Sequence, residues 1–269
     1  MDNTLNIFNK ETNQILSTLK GHTKQITKVF FNSNFDSLVS SSIDKTIRIW
    51  NFDSKKEEYT TNSIIKEHKD SVTDLSLHPS GKYLVSSSND KTWKFHDLNT
   101  GKTILSNDTL DTKIKSCCFH PDGILLGFGD SNNVISIWNI LENKIVAKYE
   151  GHTNEVVTMS FSENGYHLAT GSLDGTVKLW DLKNSRNFQT FEIESAVKCV
   201  KFDQSGNYLS VGSSSGSVQV FQNKIWEEIS NQKIHKKEVT GVCFGKDAQY
   251  LASVSLDRNL KFYSGSLKK

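Results

Sequence analysis

Short runs of β-branched and aromatic residues alternate along the chain with clusters of Gly, Asn, Asp and Ser. Residues 151–182 contain the runs VVTMSF, YHLATGS and TVKLWDL, and each predicts a β-strand because these residue types favour a pleated, half-buried surface. The runs are separated by SENG and LDG, and Asp-Gly is typical of a tight hairpin turn. NFQTFEI follows as one further strand. The pattern therefore predicts a unit of four antiparallel strands.

This unit recurs about every 42 residues. Its third strand ends on an aromatic residue or a histidine in each of six copies: Trp50, His96, Trp138, Trp180, Phe221 and Tyr263. Four copies have an aspartate six residues earlier (Asp44, Asp90, Asp174 and Asp257), whereas the third and fifth copies have Asn132 and Ser215. A period in the low forties, a strand-ending Trp and an upstream Gly-His are typical of WD40 repeats. We therefore predict an all-β WD40 β-propeller that is one domain over residues 1–269, because each repeat packs on its neighbours.

The number of blades depends on residues 1–20. DNTLNIF at residues 2–8 matches DRNLKFY at residues 257–263, with Asp2 six residues before Phe8. We interpret residues 1–20 as the tail of a truncated first repeat and residues 21–269 as six full repeats, which predicts seven blade positions, an incomplete first blade and about 25 strands. The alternative is a six-bladed ring in which residues 14–19 complete the last blade. Because the outer strand after Tyr263 is absent too, we expect the chain to be the C-terminal part of a longer protein or a piece cut from one.

Composition and charge disfavour several classes of function. The net charge is +2, too small to create a strong field for nucleic acid or an anionic membrane, so direct contact with either is not expected. No apolar run approaches the roughly 18–20 residues that span a bilayer, and no signal segment opens the chain. The four cysteines form no C-x-x-C pair, so we predict no metal and no cofactor, and we expect all four to be small hydrophobic residues inside sheets: Cys117, Cys118, Cys199 and Cys243. Free, buried cysteine is typical of a reducing, intracellular compartment.

The His, Asp, Ser or Thr and Trp of one repeat resemble a catalytic triad at first sight. In WD40 repeats such residues form a hydrogen-bonded structural tetrad inside the blade, because a buried Trp N–H and a buried His both need partners. We predict two tetrads, His22–Ser40–Asp44–Trp50 and His152–Thr170–Asp174–Trp180. Repetition argues against catalysis, since an enzyme needs one site. We therefore predict no catalytic residue, and we disfavour a propeller hydrolase with a site in its channel.

Several stretches are more specific than the repeat itself. They are FHPDG (119–123), FSENGYHLAT (161–170), VKLWDL (177–182), FDQSGNYL (202–209), TGVCFG (240–245) and DRNLKFYS (257–264), together with NQILSTLKGHTKQIT (13–27) and TIRIW (46–50). In this order they closely resemble the C-terminal WD40 domain of the pre-mRNA-processing factor 19 family, over nearly the whole chain. KTWKFHDL in the second repeat, where Trp93 is displaced and His96 ends the strand, also resembles this family.

The resemblance implies a nuclear subunit of a spliceosome-associated complex that is also a ubiquitin ligase, acting in pre-mRNA splicing and DNA repair. In that family an N-terminal U-box recruits the conjugating enzyme, a coiled coil makes the protein oligomeric, and the propeller binds complex subunits and ubiquitination substrates. This chain contains neither a U-box pattern nor heptads, so we expect it to be a monomer that recognises proteins and carries no ligase chemistry. The alternative is a general WD40 scaffold or substrate receptor with no ubiquitin role.

A partner-binding face is predicted from register. Propellers usually bind partners where loops meet the central channel, and the residue just before each first strand points there. These residues are Gln25, Ser71, Lys113, Glu155, Ala196 and Glu238. Their charges are mixed, which favours a peptide of patterned charge over a polyanion. The alternative interpretation is a set of ordinary solvated loop residues, and the sequence does not name the bound peptide.

Overall fold

Strands and turns make up almost all of the chain. The computed structural model describes residues 3–9, 11–12, 14–32, 37–56, 58–108 and 110–263. In this part the chain has 25 β-strands and one short 3₁₀ helix, Lys246–Ala248. The strand number therefore agrees with the prediction. With only three residues, this helix is far too short to cross a bilayer, and no other helix occurs in the described ranges.

The strands follow one another at short intervals. In chain order they are β1 (Leu5–Phe8), β2 (Ile15–Leu19), β3 (Ile26–Phe31), β4 (Ser37–Ser42), β5 (Ile47–Asp53), β6 (Glu58–Ile65), β7 (Val72–Leu77), β8 (Tyr83–Ser88), β9 (Trp93–Asp97), β10 (Lys102–Asn107), β11 (Ile114–Phe119), β12 (Leu125–Asp130), β13 (Ile135–Asn139), β14 (Lys144–Tyr149), β15 (Val156–Phe161), β16 (His167–Ser172), β17 (Thr176–Asp181), β18 (Arg186–Glu192), β19 (Val197–Phe202), β20 (Tyr208–Ser213), β21 (Ser217–Gln222), β22 (Glu227–Lys233), β23 (Val239–Phe244), β24 (Leu251–Ser255) and β25 (Leu260–Tyr263).

These strands form seven antiparallel sheets, the blades of a WD40 β-propeller. Five sheets have four strands, in the orders β3-β4-β5-β6, β10-β9-β8-β7, β11-β12-β13-β14, β15-β16-β17-β18 and β19-β20-β21-β22. The two remaining sheets are a pair, β1-β2, and a triplet, β23-β24-β25. The chain divides into two compact units, Met1–Cys117 and Cys118–Lys269, and each is described by itself below.

The incomplete first blade is confirmed as a separate sheet. Leu5 of β1 lies opposite Leu19 of β2, and β2 pairs with no other strand in the described part of the chain. Leu19 is buried in a cluster with Leu38 and Trp50. The six-blade alternative, in which residues 14–19 complete the last blade, is therefore wrong. Asp2, which entered the sequence comparison, lies outside the described residues.

Each unit has apolar cores between consecutive sheets. In the first unit, Ile47 and Ile49 of β5 are buried with Val72 and Leu75 of β7. In the second unit, Val177 and Leu179 of β17 are buried with Val197 and Val200 of β19, among others. In these places two consecutive sheets therefore share one apolar core, to which both contribute side chains.

Hydrogen bonds between a side chain and the backbone also join the first strands of neighbouring sheets. In the first unit, Thr27 Oγ1 donates to the Val72 carbonyl at 2.9 Å, and Thr73 Oγ1 donates to the Ile114 carbonyl at 2.8 Å. In the second unit, the Val200 N–H donates to Thr158 Oγ1 at 3.1 Å. The innermost strands are therefore linked through hydrogen bonds as well as through apolar contact.

The expectation that all four cysteines lie inside sheets is wrong for one of them. Cys117 is buried, Cys118 and Cys199 are half-buried, and Cys243 is exposed. Cys243 occupies on β23 the position that Lys201 occupies on β19, and Lys201 is exposed as well. The equivalent residues Ser76 of β7 and Ser160 of β15 are buried, so the burial of this position differs from sheet to sheet and is not decided by the apolar character of the run.

Candidate functional site

The first predicted tetrad links a loop, a strand and a hairpin turn in the first unit. His22 lies in the loop before β3, and its Nδ1–H donates to Asp44 Oδ2, in the β4–β5 turn, at 2.8 Å. Ser40 Oγ donates to His22 Nε2 at 2.8 Å and accepts from Trp50 Nε1 at 2.9 Å. These directions follow from an ionised aspartate, which only accepts, and they require the neutral imidazole with its proton on Nδ1.

The second predicted tetrad repeats this geometry in the second unit. His152 Nδ1 lies 2.9 Å from Asp174 Oδ2, Thr170 Oγ1 lies 2.8 Å from His152 Nε2, and Trp180 Nε1 donates to Thr170 Oγ1 at 2.8 Å. The aspartate also accepts from the Thr153 N–H at 2.9 Å. One carboxylate therefore holds the histidine and the backbone of the loop that carries it.

Two further tetrads were not predicted residue by residue. In the second repeat, His68 lies 2.9 Å from Asp90 and 2.7 Å from Ser86. In the last repeat, His235 lies 3.0 Å from Asp257 and 2.7 Å from Ser253, and the Tyr263 hydroxyl lies 3.0 Å from Ser253. Sequence spacing could have identified both, because it is the same in all four tetrads. The hydroxyl residue lies 18 residues after the histidine, and the aspartate lies 22 residues after it.

In the second repeat, His96 occupies the position of the strand-ending tryptophan of other tetrads and makes the same hydrogen bond to the hydroxyl residue. Its Nε2 lies 2.8 Å from Ser86 Oγ, and its Nδ1 lies 3.0 Å from Thr103 Oγ1. Since Ser86 gives its proton to His68, His96 donates from Nε2, as an indole would, and accepts from Thr103 at Nδ1. The side chain is fully buried, and burial lowers the pKa of His96 to about 3. It is therefore a neutral histidine that replaces an indole.

The third and fifth repeats fill the same space with apolar side chains. In the fifth repeat, Ile193, Val211 and Phe221 are buried where the histidine, the hydroxyl residue and the tryptophan stand in other repeats. The Phe221 ring is stacked on Phe191 with centroids 4.1 Å apart. In the third repeat, Phe128 is buried at the hydroxyl position. The fifth repeat therefore fills with an apolar cluster the space that a complete polar network occupies in four other repeats.

Burial and hydrogen bonding shift the pKa values of the tetrad residues. Burial would raise the pKa of Asp44, but hydrogen bonds from Thr46, from the Thr23 N–H and from His22 outweigh it and hold the value at about 2. Burial lowers the pKa of His22 and of His152, although their aspartates oppose the shift. In these two tetrads a neutral histidine therefore faces an ionised aspartate at neutral pH.

Four of the six predicted partner-binding residues lie in repeats that contain a tetrad, and Lys113 and Ala196 lie in the two repeats without one. In the first unit, the Gln25 carbonyl accepts from the Ile43 N–H at 2.9 Å, and the Ser71 carbonyl accepts from the Asn89 N–H at 3.1 Å. Each bond joins the loop before a first strand to the turn that carries the tetrad aspartate. Gln25 is exposed and Ser71 is half-buried, and Lys113 is exposed before β11.

The second unit has the same arrangement three times. The carbonyls of Glu155, Ala196 and Glu238 accept from the N–H groups of residues 173, 214 and 256 at 3.1, 2.9 and 3.1 Å. All three side chains are half-buried. Five of the six predicted residues thus have one and the same backbone hydrogen bond within their own units. That they bind a partner stays a prediction.

An ion pair lies among these positions and was not predicted. Lys198 Nζ on β19 lies 3.0 Å from Glu238 Oε2, and each side chain is 31% exposed. Lys198 is the second residue of its first strand, one position further into the sheet than the residues chosen from register. Within the described ranges, no three His, Cys, Asp or Glu residues are grouped so that they could hold a metal ion.

We expect Trp180→Phe to destabilise the chain, because Thr170 Oγ1 loses its indole donor inside the blade. The loss should be about 1–3 kcal/mol in the free energy of unfolding. Urea unfolding at pH 7.5 measures it. Trp226→Phe makes the same chemical change outside any tetrad and serves as the control. An equal effect of the two substitutions would contradict the role given to the hydrogen bond.

Stability should also fall in acid. The pKa values of His22, His96 and His152 are lower in the folded chain than in the unfolded chain. Below pH of about 6.5 the unfolded chain therefore binds more protons than the folded chain. The stability that these histidines contribute above that pH is lost as the pH falls. Each histidine contributes a slope of up to about 1.4 kcal/mol per pH unit. Asp44 adds a second loss between pH of about 4 and 2. Urea unfolding at several pH values tests this, and a stability that does not change between pH 8 and 5 would contradict it.

Comparison with known proteins agrees with the fold. A sequence model of the WD40 family, described as WD domain, G-beta repeat, matches residues 13–51, 59–97, 102–139, 143–181, 186–222 and 226–264. Pre-mRNA-processing factor 19 homolog 2 of Arabidopsis thaliana is 40% identical over 271 residues, and the match covers 98% of this chain and 51% of the relative. Pre-mRNA-processing factor 19 of Homo sapiens is 42% identical over 267 residues, covering 98% of this chain and 52% of the relative.

A third relative gives the same result. Pre-mRNA-processing factor 19 of Oryza sativa subsp. japonica is 40% identical over 272 residues, covering 98% of this chain and 51% of the relative. The chain thus spans about half the length of the curated relatives it matches. Its repeats, its sheets and these similarities agree: the chain belongs to the WD40 family and is homologous to the WD40 part of pre-mRNA-processing factor 19.

Proposed function

We propose that this chain recognises protein partners of the splicing machinery through the loops that its tetrads hold in place. The observation that supports this most is the backbone hydrogen bond that the residue before a first strand accepts from the hairpin turn after the second strand, which recurs in five repeats, four of them with a tetrad aspartate in that turn. That bond fixes the backbone of Gln25, Ser71, Glu155, Ala196 and Glu238, so their side chains are presented from rigid loops. Rigid presentation lowers the entropy cost of binding.

The charge of these loops fits a protein partner. The second unit presents Glu155 together with the Lys198–Glu238 ion pair, which is partly exposed and of mixed sign. Such a surface favours a segment with both charges in a fixed order over a polyanion such as RNA. The names of the relatives, which refer to pre-mRNA processing, support partners in the splicing machinery.

The wider role is part of the same proposal. As a relative of pre-mRNA-processing factor 19, the chain would act in the nucleus within a spliceosome-associated assembly and would contribute recognition of complex subunits or of proteins to be ubiquitinated. The ubiquitin transfer that the resemblance implies would belong to parts of such proteins that these residues do not match. A role in DNA repair would follow from the same assembly.

The test exchanges the charges of one loop ion pair. The double variant K198E/E238K keeps the attraction between the two side chains and exchanges the positions of the positive and the negative charge. The matched control is E142K/K144E, which does the same to the exposed pair Glu142–Lys144, whose side-chain atoms lie 2.6 Å apart at the start of β14. Both variants should be as stable as the original chain, because each preserves its ion pair.

Splicing proteins retained from nuclear extract by the immobilised chain are then identified by mass spectrometry and quantified. We expect the loop exchange to reduce their retention about tenfold and to alter its dependence on salt, and the control exchange to leave it unchanged. Equal losses of retention in both variants would show that the binding surface lies outside these loops. Retention of other proteins without splicing factors would favour a general WD40 scaffold instead.

A further inference from the structure

The loops of the second unit change in charge from one repeat to the next. Three positions recur in each repeat: the two residues that follow the tetrad histidine or its counterpart, and the residue that follows the tetrad aspartate or its counterpart. They are Thr153, Asn154 and Gly175 in the fourth repeat, Glu194, Ser195 and Gly216 in the fifth, and Lys236, Lys237 and Arg258 in the last. The last repeat therefore has a cation at all three positions, and these three residues are called the basic cluster below.

Hydrogen bonds join the loop and the turn that carry the basic cluster. The Lys236 N–H donates to Asp257 Oδ2 at 3.0 Å. The Lys237 carbonyl accepts from Ser255 Oγ at 3.1 Å, and the Ser255 carbonyl accepts from the Arg258 N–H at 3.0 Å. The backbone of all three cationic residues is therefore held in one place.

The carboxylate of this repeat faces the interior, whereas the cations lie at the surface. Asp257 Oδ2 also accepts from His235 Nδ1 at 3.0 Å, and the aspartate side chain is 5% exposed. The side chains of Lys236, Lys237 and Arg258 are exposed. Because three like charges on one loop and one turn repel each other, an anion bound among them is stabilised by all three.

The neighbouring repeats restrict the kind of anion that fits. Glu194 is exposed and holds in the fifth repeat the position that Lys236 holds in the last. Glu155 is half-buried on the loop of the fourth repeat. A continuous polyanion such as RNA that ran from the basic cluster across these repeats would meet carboxylates. A single anion followed by a cation matches the order of charges instead.

We propose that the basic cluster binds a phosphorylated serine or threonine in a segment of a partner protein, and that an arginine or lysine of the same segment faces Glu194. A phosphate group has a charge of about −1.5 to −2 at pH 7 and three acceptor oxygens, so it matches three cations with several N–H donors better than one carboxylate does. This inference rests on the proposed function, because it gives the chemistry of a segment that the loops would recognise.

The distance between neighbouring sheets sets the spacing of the two charges in the segment. Sheets that pack face to face lie about 10 Å apart. Three residues of extended chain span about 10 Å as well. The cationic residue is therefore expected three positions from the phosphorylated one.

The probe is a fluorescently labelled synthetic peptide, RGGSGGR, phosphorylated on its serine. Its arginines lie three positions to either side, so the direction of the segment along the loops does not matter. Binding to the full chain is measured by fluorescence anisotropy. We expect saturable binding that is about tenfold or more tighter than that of the same peptide without phosphate.

The variant K236T/K237N/R258G gives the last repeat the loop residues of the fourth and should remove the preference for the phosphorylated peptide. The turn tolerates the glycine, since Arg258 has a φ of 67° and Gly175 a φ of 80°, and urea unfolding checks the fold. The matched control K183T/K224N/K246S also removes three exposed lysines, from turns at the other end of the strands. It should leave the affinity unchanged.

A single substitution tests the second charge without changing the basic cluster. Glu194→Gln should weaken binding of the arginine-containing phosphopeptide about threefold and leave unchanged the binding of GGGSGGG phosphorylated on its serine. An equal effect of Glu194→Gln on both phosphopeptides would show that the arginine does not face Glu194, and the proposed order of charges would be wrong.

Four results would overturn the phosphate site. They are no saturable binding up to about 1 mM peptide, equal affinity for the peptides with and without phosphate, equal losses in the cluster variant and its control, and a glutamate peptide, RGGEGGR, that binds as tightly as the phosphopeptide. Displacement of the phosphopeptide by a lower concentration of a 12-nucleotide oligouridylate, on the order of a tenth, would assign the cluster to RNA and would also overturn it.

This inference and the proposed function can fail separately. If the phosphopeptide does not bind while K198E/E238K still loses splicing proteins, the loop surface stands and the phosphate site is wrong. If the phosphopeptide binds as expected while K198E/E238K retains splicing proteins in full, the basic cluster binds phosphate and the proposed use of the loops in splicing is wrong.

Discussion

The hydrogen bond between a buried histidine and the aspartate of the next hairpin turn is the interaction on which each polar blade depends. It satisfies one ring nitrogen, leaves the other to accept from a Ser or Thr hydroxyl, and thereby fixes where the indole N–H must point. The same carboxylate accepts from the backbone of the loop, as Asp44 does from the Thr23 N–H. One charged group therefore organises a strand, a loop and a turn.

The consequence for function is that the loops are shaped from inside the blade. The turn that carries the aspartate returns a hydrogen bond to the carbonyl before the first strand, as the Leu173 N–H does to Glu155. The interior network can then stay constant while the exposed side chains differ from loop to loop. A scaffold of this kind recognises partners through variable residues on fixed loops.

Much of this fold could be predicted from the sequence, because strand alternation and a constant period are local signals. The incomplete first blade followed from the match between residues 2–8 and 257–263, and β1 and β2 do form their own sheet. The tetrads followed from spacing, although His68 and His235 were not assigned despite having the same spacing. Cys243 shows where local reasoning fails, since an apolar run does not say which of its side chains face another sheet. The Lys198–Glu238 pair depends on contact between neighbouring first strands, which no single repeat reveals.

The most direct test of the central claim is amide hydrogen exchange of the loops in the His152→Ala variant, compared with the original chain. If the tetrad holds the loop and the turn together, the amides of Thr153 and Leu173, which donate to Asp174 and to Glu155, should exchange at least about tenfold faster in the variant. The amides of β20 and β21, in a sheet whose interior is apolar, should keep their protection. Unchanged protection of Thr153 and Leu173 would contradict the claim that the buried histidine holds the loop before the first strand in place.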